Sequence, residues 1–260
     1  MEPYINQVLR EVGVSPSDVI MIHGDAGVAV QLTDVEMKDR LNFLISQLIS
    51  FIGTKGTLVV PTFSFSFCKG EVFDIQNTKS EVGIFTEYIR NLNSSVRSLH
   101  GITSFSAIGN DAKNLMSMSD KTSYGFGSVP ANLRKAGCKI LQFGTPYISH
   151  THYVEKFVGV PYRFDKYFKG KIKNKSKVVY ETHSLYVRSA DRKVVKLVER
   201  DPRKEFFKLD LCNEVNFAYG THRIFYLNDY INFLLPIIDK APFCLIDQNI
   251  YESELSEDYL

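Results

Sequence analysis

Val19-Ile20-Met21-Ile22, an uninterrupted apolar run, ends at His23-Gly24-Asp25, and Thr57-Leu58-Val59-Val60 repeats the form after Gly53-Thr54-Lys55-Gly56. Apolar runs without alternation suit strands buried on both faces. Between them Met37, Leu41, Leu44, Leu48 and Phe51 or Ile52 share one helical face, which predicts a helix from about Asp34 to Ile52. Strand, helix and strand at this spacing make a β-α-β unit, and such units give parallel pairs with a right-handed crossover.

Outward from that unit the alternation continues. Tyr4, Ile5, Val8, Leu9 and Val12 predict a short helix from Pro3 to Val12, closed by Gly13. Downstream come a helix over Glu81 to Leu92, a strand over Thr103 to Ile108, a helix over Val129 to Gly137 and a strand over Lys139 to Phe143. Tyr162 to Arg188 reads as a β-hairpin, and Leu227 to Ile238 as one more helix. The expectation is one α/β domain over residues 1–260: a mixed, largely parallel central sheet with helices on both faces and a β-hairpin cap at about 162–190. Ligands of such sheets lie beyond the carboxyl ends of the strands, here His23, Pro61-Thr62 and Gly144-Thr145. The acidic end from Glu252 to Leu260 is expected to fray.

Composition narrows the partners. Thirty-one Lys and Arg against 29 Asp and Glu leave +2, too balanced for a chain that holds nucleic acid by charge alone. No apolar run is long enough for a membrane span. Met1-Glu2-Pro3-Tyr4 lacks the basic stretch and apolar core of a signal peptide, so a cytoplasmic location is expected. Cys68, Cys138, Cys212 and Cys244 form no CxxC pair and read as core thiols. Cys68, beside Lys69, is the one whose thiol a neighbouring charge could activate.

The chemistry concentrates in Ser149-His150-Thr151-His152-Tyr153-Val154-Glu155, just after a strand end and at the start of a helix capped by Ser149 or Thr151. On a helix His152 and Glu155 share a face, and a carboxylate beside an imidazole is what a general base needs. The alternatives are a surface pair and a metal site built from His150, His152 and His100 or His23; positions two apart on a helix do not face each other, which weighs against the metal. A second cluster, Arg97-Ser98-Leu99-His100-Gly101-Ile102-Thr103-Ser104-Phe105-Ser106, is either an anion-binding loop or an ordinary polar loop feeding a strand. Phosphate-loop, dinucleotide and nucleophile-elbow motifs are absent.

Gly56-Thr57-Leu58-Val59-Val60-Pro61-Thr62-Phe63-Ser64, Phe73-Asp74, Ser80-Glu81-Val82-Gly83-Ile84-Phe85-Thr86-Glu87, Arg97-Ser98-Leu99-His100, Ser104-Phe105-Ser106-Ala107-Ile108-Gly109 and His152-Tyr153-Val154-Glu155 follow the order seen in another set of proteins. The chain resembles the aminoglycoside 3-N-acetyltransferase family. The resemblance implies an acetyl-CoA-dependent N-acetyltransferase, on a fold distinct from the GNAT acetyltransferases, that needs no metal. It places the general base on His152 and its orienting carboxylate on Glu155. Coenzyme contacts fall on His23, Gly24, Asp25, Arg97, Ser98, His100 and Phe105, and acceptor contacts on Asp74, Tyr162, Arg163 and Lys169. Gly24 and Asp25 stand where the family usually has serines, and Gly101 where it usually has proline.

The chemistry implied is direct transfer from acetyl-CoA to an amine within one ternary complex. The thioester oxygen needs a donor, for which a strand-end amide, Thr62, Thr103 and Thr145 are candidates. A covalent route through Cys68 has no base beside it. For the acceptor, a pI near 8.2 and six lysines without an acid between Lys166 and Lys177 argue against a polycation. They favour a nucleotide-linked amino sugar of bacterial surface-polysaccharide synthesis, as in the similar enzymes that carry Val160-Pro161-Tyr162-Arg163 and Phe168-Lys169-Gly170 after the His and Glu. The lysines could equally protect a sheet edge. The alternatives are an aminoglycoside resistance enzyme, a non-catalytic coenzyme or sugar binding protein, and an acyl hydrolase using His152. The hairpin is also a candidate surface for a homo-oligomer.

Overall fold

The computed structural model describes residues 4–188, 201–217 and 220–246. The expected fraying of Glu252 to Leu260 lies outside them. In chain order the first elements are α1 (Tyr4–Val12), β1 (Val19–Gly24), α2 (Gly27–Val30), α3 (Arg40–Ile52) and β2 (Thr57–Pro61). Then follow β3 (Phe73–Asp74), α4 (Ile84–Arg90), β4 (Val96–Arg97), β5 (Phe105–Gly109), α5 (Ala112–Met116), α6 (Val129–Lys135), β6 (Lys139–Phe143) and α7 (Thr151–Val158). The last are β7 (Arg163–Asn174), β8 (Lys177–Arg188), α8 (Pro202–Phe206), β9 (Cys212–Phe217), β10 (Gly220–Tyr226) and α9 (Leu227–Lys240).

Seven strands form one mixed sheet in the order β4-β5-β2-β1-β6-β10-β9. Its centre, β2-β1-β6, is parallel, and every pairing outside that trio is antiparallel. The expected β-α-β unit is the heart of it, with Val19 opposite Thr57 and Met21 opposite Val59. Alternate residues then serve two cores. Ile20, Ile22, Leu58, Val60, Leu141 and Phe143 pack under α1, α3 and α4, while Met21, Val59, Ile140 and Phe225 pack under α6, α7 and α9. Both faces being covered is why these strands read as continuous apolar runs.

The helix before β2 begins at Arg40 and not at Asp34. Arg40 explains the difference: its guanidinium donates to the carbonyls of Val35 and Val30 at 2.7 and 2.6 Å, pinning the preceding residues as turns and leaving Met37 exposed. The helix expected over Glu81 to Leu92 is trimmed to α4 because the Glu81 carboxylate turns back to accept from the Phe65 amide, and Gly83 takes φ +129°. The capping expected of Ser149 or Thr151 does not occur. His150 holds the N-cap position, and Thr151 instead bonds the Tyr230 hydroxyl at 2.7 Å.

The hairpin β7–β8 forms with β3 a second, three-stranded sheet. It is tied to the main body at its base: Ser184 donates its amide to the Lys121 carbonyl, Ser123 donates its hydroxyl to the Ser184 carbonyl, and Tyr186 enters the larger core. Among the described residues no helix is long and apolar enough to cross a membrane.

At the end of β5, Gly109 has φ +124°, and a Cβ there would lie 2.2 Å from the Gly56 carbonyl oxygen and 2.8 Å from the Thr57 Cα. Both obstacles are backbone and cannot swing away. Gly109→Ala is expected to cost about 2–4 kcal/mol in urea denaturation. Gly137→Ala, also at positive φ but in open space, is expected to cost only about 1 kcal/mol.

Candidate active site

The carboxyl ends of β1 and β6 deliver their residues to one place. Parallel register sets His23 beside Gln142 on the α7 face of the sheet, and the chain leaving β6 passes through Gly144, Thr145 and Tyr147 into α7. His23, Gly24, Asp25, Thr145 and Tyr147 wall a cavity of about 730 Å³ whose other side is Pro61, Phe63, Val82, Ile84 and Phe85. Its apolar walls and strand-end position suit an extended, largely uncharged arm such as pantetheine.

On α7 the His152 Nδ1–H donates to Glu155 Oε2 at 2.6 Å. Glu155 is only 2% exposed. Its other oxygen accepts from the Tyr162 hydroxyl at 2.7 Å, and the Arg163 guanidinium stands 2.8 Å from Oε2 as an ion pair not aligned for a hydrogen bond. Burial alone would raise this carboxyl, but the bond and charge of His152, then Arg163 and Tyr162, hold it below the usual range. The result is an ionised carboxylate that fixes Nδ1 as the protonated nitrogen and leaves Nε2 as the acceptor.

The Tyr124 ring meets the His152 ring edge to face at 5.8 Å between centroids. Tyr124 also walls a second cavity, about 320 Å³, with Asp120, Thr122, Phe126, Lys156, Phe157 and Asp165. At the foot of α7 the Ser149 amide points to Nε2 of His23, a wall residue of the first cavity, at 3.5 Å. The helix that carries the imidazole thus starts beside the first cavity and meets the wall of the second through Tyr124.

The other sequence candidates are placed differently. Arg97 donates to the carbonyls of Thr62 and Thr78 and to the Ser104 hydroxyl, and caps the Phe73 ring at 4.7 Å. Ser98 accepts from the Phe105 amide, and Phe105 is fully buried against Phe63. His100 Nδ1 accepts from the amides of Ile102 and Thr103, so its proton is on Nε2, which donates to the Lys121 carbonyl. This segment braces the loops beside the first cavity and does not line it. Asp74 accepts from Asn77 and pairs with Lys173, while Lys169 is exposed on β7. Neither walls either cavity by the imidazole. Tyr162 and Arg163 are spent on Glu155. Cys68 is not activated: burial raises its thiol against the lowering influence of Lys166 and Lys69. Tyr124, Tyr147, Phe126 and Phe157 had no signal in the sequence beyond being aromatic. Among the described residues no three His, Cys, Asp or Glu side chains are grouped to hold a metal ion.

The family model for aminoglycoside 3-N-acetyltransferases matches residues 29–236. The chain belongs to this family. It is thus an N-acetyltransferase by family. Among solved structures, the aminoglycoside acetyltransferase AAC(3)-Xa superposes with a TM-score of 0.75 at 20% identity, covering 91% of each chain. AAC-IIIb in a binary complex with CoASH gives 0.76 at 19%, covering 91% of this chain and 95% of that one. AAC-VIa bound to sisomicin gives 0.73 at 19%, covering 91% and 96%. No curated protein sequence matches. These likenesses establish the mixed α/β, non-GNAT fold of this family.

The family match and these neighbours overturn the expectation of a nucleotide-linked acceptor. The charge argument for it treated the whole chain as one surface. The lysines lie along the hairpin, whereas the wall beside the imidazole carries Asp120 and Asp165 against the single cation Lys156. Whole-chain pI does not report the local field.

Two more histidines border this centre. Burial pushes His23 down to about 3, and burial with the nearby His23 and His152 does the same to His150. In the unfolded chain both take up protons near pH 6.5, so between pH 6.5 and 3 the unfolded state binds more protons. Stability is therefore complete above the unfolded value and falls on acidification, by about 1.4 kcal/mol per pH unit for each histidine. Denaturation midpoints measured from pH 7.5 to 5 are expected to decline, and His150→Gln to reduce that slope by about one proton.

Proposed function

We propose that the chain transfers the acetyl group of acetyl-CoA to the 3-amine of an aminoglycoside. The observation that carries the reading is the His152–Glu155 pair, hydrogen-bonded at 2.6 Å on a helix that starts beside the cavity of about 730 Å³ and meets the wall of the cavity of about 320 Å³ through Tyr124. A two-substrate transfer needs a base reached from both sides. The family match supports the reaction, and the CoASH and sisomicin complexes of structural neighbours support the two ligands.

Acetyl-CoA enters along the strand-end cavity, its thioester toward His152. The neutral amine attacks the thioester carbon, and the N–C bond forms as His152 Nε2 takes the amine proton. Glu155, kept ionised, stabilises the imidazolium across Nδ1–H. Collapse breaks the C–S bond, and the proton passes from Nε2 to the departing thiolate, giving the amide and free coenzyme. Burial keeps the Tyr124 hydroxyl protonated, so the ring beside the base stays neutral. Of the three candidate threonines, Thr62 is held among Ser104 and Ser106 and Thr103 lies against His100. Thr145 walls the cavity and accepts from the Tyr147 amide, leaving its own proton for the thioester oxygen. We read residues 1–260 as one acetyltransferase domain with the hairpin as its cap, since Tyr162 and Tyr186 from the hairpin's two ends both reach Glu155.

Coenzyme release followed with a thiol dye is expected with aminoglycosides and absent without an amine. His152→Ala is expected to lower kcat by about 10²–10⁴-fold while acetyl-CoA still binds in calorimetry. Near-normal turnover in that variant would remove the proposed base, and release without any acceptor would make the protein a hydrolase.

A further inference from the structure

Two phenylalanines stand exposed at the mouth of the smaller cavity. Phe126 is 75% and Phe157 48% exposed, and their rings meet edge to face at 6.1 Å. Phe126 lies on the loop that carries Tyr124, and Phe157 lies on α7 with the base. Adjacent exposed aromatics lose solvation free energy unless something covers them. The cavity they rim reaches inward to Tyr124, whose ring touches His152.

The wall behind them holds two carboxylates in different states. Asp165 is neutralised by Lys156, which reaches both of its oxygens at 2.9 Å. Asp120 accepts from the Thr122 amide through Oδ1, and among the described residues no cation pairs with it. Arg134 already stands 5.8 Å from the Phe157 ring centre, so of the two it is Phe126 that has no cation over it among the described residues. A carboxylate of this kind below that exposed ring describes a particular ligand. Aromatic faces attract ammonium groups and the C–H faces of saturated rings, and a carboxylate takes an ammonium hydrogen bond.

We propose that Phe126, Phe157 and Asp120 form the subsite that stacks one ammonium-bearing sugar ring of the acceptor and turns its amine toward His152. The inference rests on the proposed aminoglycoside reading and adds the residues that set acceptor preference. Acetyl-CoA occupies the other cavity, so its binding is independent of this rim.

The test compares wild type, Phe126→Ser/Phe157→Ser and Asp120→Asn with sisomicin as acceptor. Both phenylalanines are exposed and the Asp120 change is isosteric, so thermal midpoints are expected to hold. The KM for sisomicin is expected to rise about tenfold in each variant, with a smaller change in kcat and an unchanged KM for acetyl-CoA. If wild type turns sisomicin over and the variants match its KM, this inference is overturned and the proposed function stands. A parallel rise in the KM for acetyl-CoA, or a change confined to self-association in size-exclusion chromatography, also overturns it. Wild type that neither binds nor acetylates sisomicin, apramycin or gentamicin overturns the aminoglycoside reading, and this inference with it.

Discussion

A carboxylate in the protein interior has to be neutralised, and Glu155 is such a carboxylate. Leaving it unpaired there would cost several kcal/mol. Three groups answer that demand: His152 from its own helix, and Tyr162 and Arg163 from the chain that follows. Satisfying one charge thus fixes the exit from α7 and the entry to β7, while the backbone carbonyl of the same residue accepts from Tyr186 and seats β8. The imidazole tautomer is a by-product of the same arrangement. The geometry of the His152–Glu155 pair and hairpin docking are one problem with one solution, and Arg163 serves both without lining either cavity.

The parts legible in the sequence were those governed by short-range pattern. Apolar runs at Val19 and Thr57 gave the parallel centre because both faces of those strands are covered, and the three-residue spacing of His152 and Glu155 gave the pair because a helix puts such residues together. Elements of two residues, such as β3 and β4, and the four-residue α2 have no period to show. The start of α3 depended on Arg40 reaching back ten residues to Val30, a tertiary contact that outweighs the helical periodicity at Met37. The loop from Arg97 to Phe105 carried the right residue types for an anion site, but their polar atoms are consumed by neighbouring amides and carbonyls. Composition reveals polar groups; only the fold reveals whether they are already paired.

Charge was misleading for a related reason. Screening confines an exposed lysine's influence to roughly 8–10 Å at physiological ionic strength. Lys173 is matched by Asp74, and Lys121 by Glu181. The cavity wall that reaches His152 through Tyr124 is a short stretch, and there acids outnumber bases.

The positions where this chain parts from its family's usual residues can be accounted for physically. Gly24 faces the Phe85 ring, and a Cβ would lie 2.7 Å from it, so the aromatic fills the space a serine would claim in the wall of the larger of the two cavities by α7. Asp25 next to it turns its Oδ1 to the Gly27 amide, starting α2 where a serine would offer only a hydroxyl. Gly101 is the more consequential change. Its N–H donates to His183 Nδ1 at 3.0 Å, a bond that proline cannot make. His183 passes its own Nε2–H to Glu181, which pairs with Lys121, and Lys121 gives its carbonyl to His100. A rigid turn residue has been exchanged for a circuit of hydrogen bonds between the loop and the hairpin. Within it both imidazoles accept backbone amides and are held neutral by burial, so their links need no added proton to persist. The hairpin is therefore anchored twice, at Glu155 by ion pairing and at Gly101 through neutral histidines, and His152 is bonded to the first of these anchors.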